Sequence, residues 1–200
     1  DPDNVTLKVL QAFEQVQIND LDVVIIVGGT NPHYEVLQSA SRNLRLKIRL
    51  ERDTSNMPEL MSMADVAITA GGSTCWELLF MGVPSLVMAI AENQLGVVNQ
   101  LETLGLAVNL GWHQQVTSSQ MAKSLAQLLE SSDIRKKIAN RCRAQIDGDG
   151  VDRVLQQILG NEIRLRHVRE EDKLLLWEWA NAPEVRAASF STDIISWEQH

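Results

Sequence analysis

The run Gly71-Gly72-Ser73-Thr74, followed one helical turn later by Glu77, is the part of this sequence best suited to chemistry. Paired glycines let a ligand approach the backbone. A helix opening at Ser73 or Thr74 offers unpaired N–H groups and the positive end of its dipole to an anion. Gly-Gly can also serve only as a tight turn between strand and helix. Glu77 argues for more, because Thr74 and Glu77 are three residues apart and share one face of a helix, so both can meet one ligand. Gly28-Gly29, followed by Asn31-Pro32, repeats the strand, glycine pair and helix arrangement earlier in the chain.

Elements of definite kinds must hold these residues. Val66–Thr69 reads as a short strand, and the next helix carries Leu78, Leu79 and Met81 inward. Gly82-Val83-Pro84 closes that helix, and Ser85–Ala89 starts a second buried strand. Upstream, Asp1 as N-cap with Pro2 at the first helical position predicts a helix with an apolar stripe of Val5, Val9, Phe13 and Val16. Such an abrupt helix start also suggests that the chain is part of a longer one. Leu21–Val27 is a near-continuous β-branched run, the pattern of a central parallel strand covered on both faces. Leu44–Leu50 alternates apolar residues with Arg45, Lys47 and Arg49, as a strand at or near a sheet edge does.

Further along, Asn56 and Glu59 have the spacing of a helix-capping pair. A helix runs from the loop Ala91–Gln94 to Leu104, with Gly105 after it and a short strand over Leu106–Leu110. Thr117 and Gln120 cap a helix bearing Met121, Leu125, Leu128 and Leu129, and a basic helix follows from Ser132 or Asp133. Asp147-Gly148-Asp149-Gly150 breaks it before the helix Val151–Leu159; the run lacks a third calcium ligand where Val151 stands, so it reads as a turn and cap. Successive βα units without a repeat period predict an α/β domain with a doubly wound parallel sheet over residues 1–160. A short α/β extension follows over 161–200, with a strand at Ile163–Val168 and a helix from Glu170–Asp172 that carries Leu174, Leu175, Trp177 and Trp179.

Bulk properties exclude several classes. The 200 residues are 44% hydrophobic and 22% charged, with formal net charge −8, so nucleic acid and basic membrane-surface roles lack the positive field they need. No apolar run approaches the roughly 18 residues of a membrane span, and nothing resembles a signal peptide. Cys75 and Cys142 form no paired framework, and both read as reduced thiols of a cytoplasmic protein. No Asp-x-Asp pair suits a nucleotide-bound cation, so no metal or cofactor is expected. The absence of an acidic cluster at the strand ends excludes a flavodoxin-like receiver.

With Gly71-Gly72-Ser73-Thr74-x-x-Glu77 and Gly82-Val83-Pro84 in hand, residues 1 to about 159 resemble the C-terminal, Rossmann-like domain of a GT-B nucleotide-sugar enzyme. The families it looks like are the UDP-sugar hydrolase of pseudaminic acid biosynthesis and the spore-coat polysaccharide proteins. The peptidoglycan N-acetylglucosaminyltransferase is a more distant likeness, with one more residue between its strand and its threonine. The resemblance implies that UDP or a UDP-sugar lies against this domain. Glu77 would accept hydrogen bonds from the ribose, and Gly71, Gly72, Ser73 and Thr74 would face the diphosphate. The loop around Thr54 would read uracil, Asn93 and Gln94 would contact the sugar, and Gly28, Gly29 and Asn31 would face the same cleft. It further implies an N-terminal partner domain outside this chain, which in the hydrolase family holds the essential histidine. His33, His113, His167 and His200 are therefore read as structural or surface residues, with His33 the one worth testing.

The tail has a resemblance of its own. Ile163–Arg166, Glu171-Asp172, Trp177–Trp179, Asn181, Pro183 and Val185-Arg186 look like the opening strand and helix of a GNAT-type N-acetyltransferase without its acetyl-CoA loop. The expected function is the UDP-binding half of a hydrolase that cleaves UDP from a deoxy-diacetamido sugar, which the acetyltransferase-like tail favours; the alternatives are the donor half of a glycosyltransferase and a nucleotide-binding module without turnover.

Overall fold

A computed structural model describes residues 1–18, 20–160, 166–187 and 193–199. They form two compact units, Asp1–Gly148 and Asp149–His200. The first unit alternates helix and strand in the order α1 (Val5–Phe13), β1 (Asp22–Val27), α2 (Tyr34–Arg42), β2 (Lys47–Arg52), α3 (Met57–Met63) and β3 (Ala67–Ala70). It continues with α4 (Thr74–Met81), β4 (Ser85–Ala89), α5 (Leu95–Thr103), β5 (Val108–Trp112), α6 (Ser118–Glu130) and α7 (Ser132–Gln145). All pairings are parallel, as the alternation of helix and strand requires. The strands pair in two groups, β1 with β2 and β3-β4-β5, with Asp22 opposite Lys47 in the first and Ala67 opposite Ser85 in the second.

β4 lies between β3 and β5 and is buried along its whole length. Leu86, Val87 and Ala89 join Cys75, Leu79, Val98 and Leu101 in one core cluster, while Met88 packs with Ala12 and Met121 in another. The smaller sheet has its own core of Leu10, Ile25, Val27 and Leu37. β1 differs here from the strand expected at Leu21–Val27. It buries Ile25 and Val27 but leaves Val24 and Ile26 each 39% exposed, so only one face is covered. β2 keeps the alternation expected of it, and Lys47 pairs with Asp22 across the ladder at 2.8 Å.

Element ends also shift for physical reasons. α1 begins at Val5 rather than at Pro2, because Asn4 takes a left-handed conformation (φ 49°) that interrupts the first turn. Asp1 still serves as a cap from outside, accepting from the N–H groups of Val5 (2.7 Å) and Thr6 (3.1 Å). The last strand runs over Val108–Trp112, two residues later than expected, because Leu106 and Ala107 are buried in the approach to it. Thr117 and Gln120 form the full capping box of α6. Asn56 and Glu59 hydrogen-bond through their side chains, but Asn56 does not cap the backbone of α3. In α7, the Arg143 and Arg141 side chains lie against Gly82 and Gly105, the left-handed glycines that end α4 and α5. Cations there complement the negative helix ends.

The second unit contains α8 (Gly150–Gly160), α9 (Lys173–Ala180) and α10 (Pro183–Ala187). Residues 163–165 of the strand expected at Ile163–Val168 lie outside the described residues, and 166–168 are irregular. Asp172 accepts two bonds from the Arg166 guanidinium (2.6 and 2.6 Å) and one from the Arg169 N–H (2.8 Å). Those bonds, Arg166 foremost, hold its carboxyl down at about 2. With the folded value below the ordinary one of about 3.9, the contribution to stability is present above that pH and lost as pH falls through about 2. An NMR titration of the Asp172 carboxyl should show a midpoint near 2. A midpoint at the unfolded value would show that the pair does not form.

Candidate functional site

The turn between β3 and α4 is tied to its neighbour strand at the first glycine. The Gly71 N–H donates to the Met88 carbonyl at 2.9 Å, so this N–H takes no part in an anion site. Gly71 is a glycine because of packing: a Cβ there would lie 2.6 Å from Val98 Cγ2 and 3.1 Å from Gln94 Cβ. Gly72 has room, with Gln94 Nε2 at 4.0 Å from a Cβ built on it. The Cys75 and Trp76 N–H groups donate to the carbonyls of Gly72 (3.1 Å) and Ser73 (3.0 Å), closing the first turn tightly. Among the described residues, the N–H groups of Gly72, Ser73 and Thr74 have no protein acceptor, and Ser73 makes no side-chain capping bond. These are the orphan donors of a helix start. Glu77 stands one turn further on, exposed and without a hydrogen bond or ion pair to the described residues.

Gln94 braces this turn from the next loop. Its Oε1 accepts from the Ile90 N–H at 3.0 Å, which leaves its Nε2, a donor, on the Gly72 side. Asn93 is exposed in the 3-10 turn Glu92–Gln94 that precedes α5. The other expected residues gather at the carboxyl ends of β1 and β2. Asn31 Oδ1 accepts from the His33 N–H at 2.8 Å, which holds the chain between Gly28-Gly29 and α2. Thr54 Oγ1 accepts from the Asn56 N–H at 3.2 Å, and the Asp53 carboxyl packs against Gly29. Gly28 has open space where a Cβ would stand. The structure thus brings Gly71–Thr74 together with Gln94, and Gly28, Gly29 and Asn31 together with the loop at Thr54. Among the described residues, no hydrogen bond or ion pair joins the two groups.

Arg52 is a neighbour that the sequence reading missed. Its Nη2 donates to the Gly29 carbonyl at 2.9 Å, and its guanidinium lies 4.9 Å from the centre of the Tyr34 ring. The alternating pattern ended at Leu50, whereas β2 extends to Arg52, and no periodic signal marks the last turn of a strand end. Two histidines have partners within the fold: the His33 ring meets the Pro2 carbonyl at 3.0 Å, and the buried His113 lies 3.6 Å from the Asp3 carboxylate; His167 is exposed, and His200 lies outside the described residues. A mainly apolar cavity of about 320 Å³ lies beside Trp76, Val97, Leu104 and Ile146, and no glycine of the two Gly-Gly turns lines it.

Neither cysteine is placed for catalysis. The Cys75 thiol donates to the Ala70 carbonyl at 3.1 Å and that of Cys142 to the Leu106 carbonyl at 3.3 Å. Burial pushes both thiols up to about 11. At pH 8 the thiolate is on the order of one part in a thousand, so Ellman's reagent should leave the folded chain unmodified and titrate both thiols after denaturation. Prompt reaction of the folded chain would overturn this account.

The fold is that of the GT-B glycosyltransferases. Over 78% of this chain and 45% of the other, it superimposes on MurG of Acinetobacter baumannii with a TM-score of 0.66 at 18% identity. It also superimposes on the spinosyn rhamnosyltransferase SpnG complexed with thymidine diphosphate, with a TM-score of 0.59 at 21% identity, covering 76% of this chain and 40% of that one. Residues 4–154 match the glycosyltransferase family 28 C-terminal domain, and the chain belongs to that family. It is 30% identical over 167 residues to the spore coat polysaccharide biosynthesis protein SpsG of Bacillus subtilis, which covers 82% of this chain and 49% of that protein. An uncharacterized protein of Methanocaldococcus jannaschii is 31% identical over 97 residues, 48% of this chain and 19% of that one. The chain therefore spans about half the length of the Bacillus relative, and less of the archaeal one.

Proposed function

We propose that this chain is the donor-nucleotide half of a glycosyltransferase-type enzyme that uses a UDP-sugar in polysaccharide biosynthesis. The observation that carries the reading is the start of α4. Among the described residues, the N–H groups of Gly72, Ser73 and Thr74 have no acceptor, and they stand at the helix start just before Glu77, an exposed carboxylate without a described partner. Donors at a helix N-terminus suit the diphosphate, and an ionised acceptor suits the ribose diol. Thr54 would stand by the uracil, with Asn93 and the Gln94 amide at the sugar. Arg52, held over Tyr34, would add a cation beside Gly29.

Membership of family 28 and the thymidine diphosphate complex of a structural neighbour support a nucleoside diphosphate as the ligand class. A hydrolase would hold the same leaving group and differ only in admitting water as acceptor. The family match favours the transferase reading, and no observation favours the hydrolase separately. Residues 161–200 are proposed as the opening of an acetyltransferase-type domain; an acceptor hydroxyl held by a partner domain outside this chain would attack the anomeric carbon as its bond to the UDP oxygen breaks and UDP leaves. Calorimetry with UDP tests the assignment. A dissociation constant near or below about 1 mM, some −4 kcal/mol, supports it. No heat with millimolar UDP overturns it.

A further inference from the structure

We infer that the apolar cavity lined by α4, α5 and the end of α7 is a second binding site, whose ligand is a small carboxylate with an apolar body. Its volume of about 320 Å³ falls within the range of ligand pockets, about 300–1,000 Å³. Leu101 and Leu106, both buried, form its floor, and Val97 and Ile146 line it above them. Trp76 and Leu104 line it too, yet they are 46% and 43% exposed. An indole and a leucine left open at one cavity are contiguous apolar surface for a ligand to cover. Gly96 also lines the cavity, with open space where a Cβ would stand. A ligand can therefore come close to the α5 backbone there.

The polar groups around this surface choose the head group. Gln100 and Gln145 line the cavity, are exposed, and make no side-chain hydrogen bond to the described residues. Each amide offers two donors. No carboxylate lines the cavity; Glu77 and Asp147, next in sequence to Trp76 and Ile146, stand outside it. Arg141 lies one turn before Gln145 on α7, on the same face, and Lys137 one turn before that. The Arg141 guanidinium covers Gly105, the residue between Leu104 and Leu106, so it stands at the rim. It forms no hydrogen bond or ion pair to a described residue, and its planar fork matches a carboxylate. On a chain of net charge −8, this basic row beside an acid-free apolar cavity selects an anion over a neutral or cationic ligand. The site is separate from the nucleotide reading above, and its test needs no UDP.

Hydrocinnamate titrated into the full 200-residue chain is the probe, followed through the indole N–H signals by NMR. The Trp76 signal is assigned by its loss in Trp76→Phe. It should shift saturably with a dissociation constant of roughly 4 mM or tighter, the weak end of ligand efficiency for a molecule of about eleven non-hydrogen atoms. Hydrocinnamamide, of the same shape without the charge, should bind about fivefold more weakly or worse. Arg141→Gln should cost the carboxylate about fivefold and leave the amide unchanged. Gly96→Leu places a side chain in the cavity without a clash, so it should abolish binding of both probes and keep the melting temperature. If that variant does not fold, Leu104→Gln at its exposed position must weaken both probes instead. No saturable shift of Trp76, equal binding of the two probes, or an Arg141→Gln without effect on the carboxylate overturns the proposal. So does displacement of hydrocinnamate by UDP, which would make the cavity part of the nucleotide site. A chain that self-associates, and that Gly96→Leu separates into monomers, overturns it as well, since a second copy would then be the occupant. Failure of UDP to bind leaves this site standing and counts against the nucleotide reading alone.

Discussion

Glu77→Ala lowers the affinity for UDP by about tenfold to a hundredfold and lowers the melting temperature by no more than about 2–4 °C. The carboxylate is exposed and makes no bond to the described residues, so the protein loses little when it goes. A residue in the first turn of α4 contributes at most about 1 kcal/mol through the helix dipole. A hydrogen bond from a ribose hydroxyl to an ionised acceptor is worth about 1.5–3 kcal/mol, and that loss falls wholly on the complex. Glu77→Gln keeps an oxygen acceptor without the charge and should fall between the two. Calorimetry and a thermal melt on the same preparations decide the matter. Equal affinity in wild type and Glu77→Ala would remove Glu77 from the site, and a large loss of stability would make it structural.

Much of this fold was legible because its signals are local. Ser85–Ala89 reads as a buried strand and is buried at every residue, since an apolar run between Pro84 and a polar loop has no other economical conformation. The capping box at Thr117 and Gln120 is written in two residues. The ends of α4 follow from Ser73 and Gly82, one at the N-cap and one left-handed at the C-cap. What was not legible depends on neighbours in space. Val24 and Ile26 are as apolar as any core residue, and nothing local shows that their face of β1 stays open.

The candidate site divides along the same line. Thr74 and Glu77 were legible as candidates because a spacing of three on one helix fixes their common side, and Gly72 and Ser73 adjoin them at the helix start. Arg52 was missed because its partners, the Gly29 carbonyl and the Tyr34 ring, come from β1's turn and α2, remote in sequence. Gly71 was identified for the wrong reason. Its sequence context suggests close approach of a ligand, while its N–H is committed to Met88 and its missing side chain makes room for Val98 and Gln94.

That last distinction yields the second large effect. Gly71→Ala should destabilise the chain by about 2 kcal/mol, within the range for overpacking, and lower its melting temperature by about 4–8 °C. The added methyl would stand 2.6 Å from Val98 Cγ2, a separation that Cβ atoms do not tolerate. Val98 cannot give way easily, being buried in the main cluster and stiff about χ1. The methyl also presses on Gln94, whose Oε1 would be drawn from the Ile90 N–H, so UDP affinity should fall together with stability. Gly72→Ala, with 4.0 Å of clearance, should keep its stability and lose affinity alone. Val98→Ala restores the room that Gly71→Ala takes away. The double variant should therefore be destabilised by clearly less than the sum of the two single changes, a coupling read from denaturant melts of all four chains. Strict additivity would mean that Val98 is not what forbids a side chain at position 71.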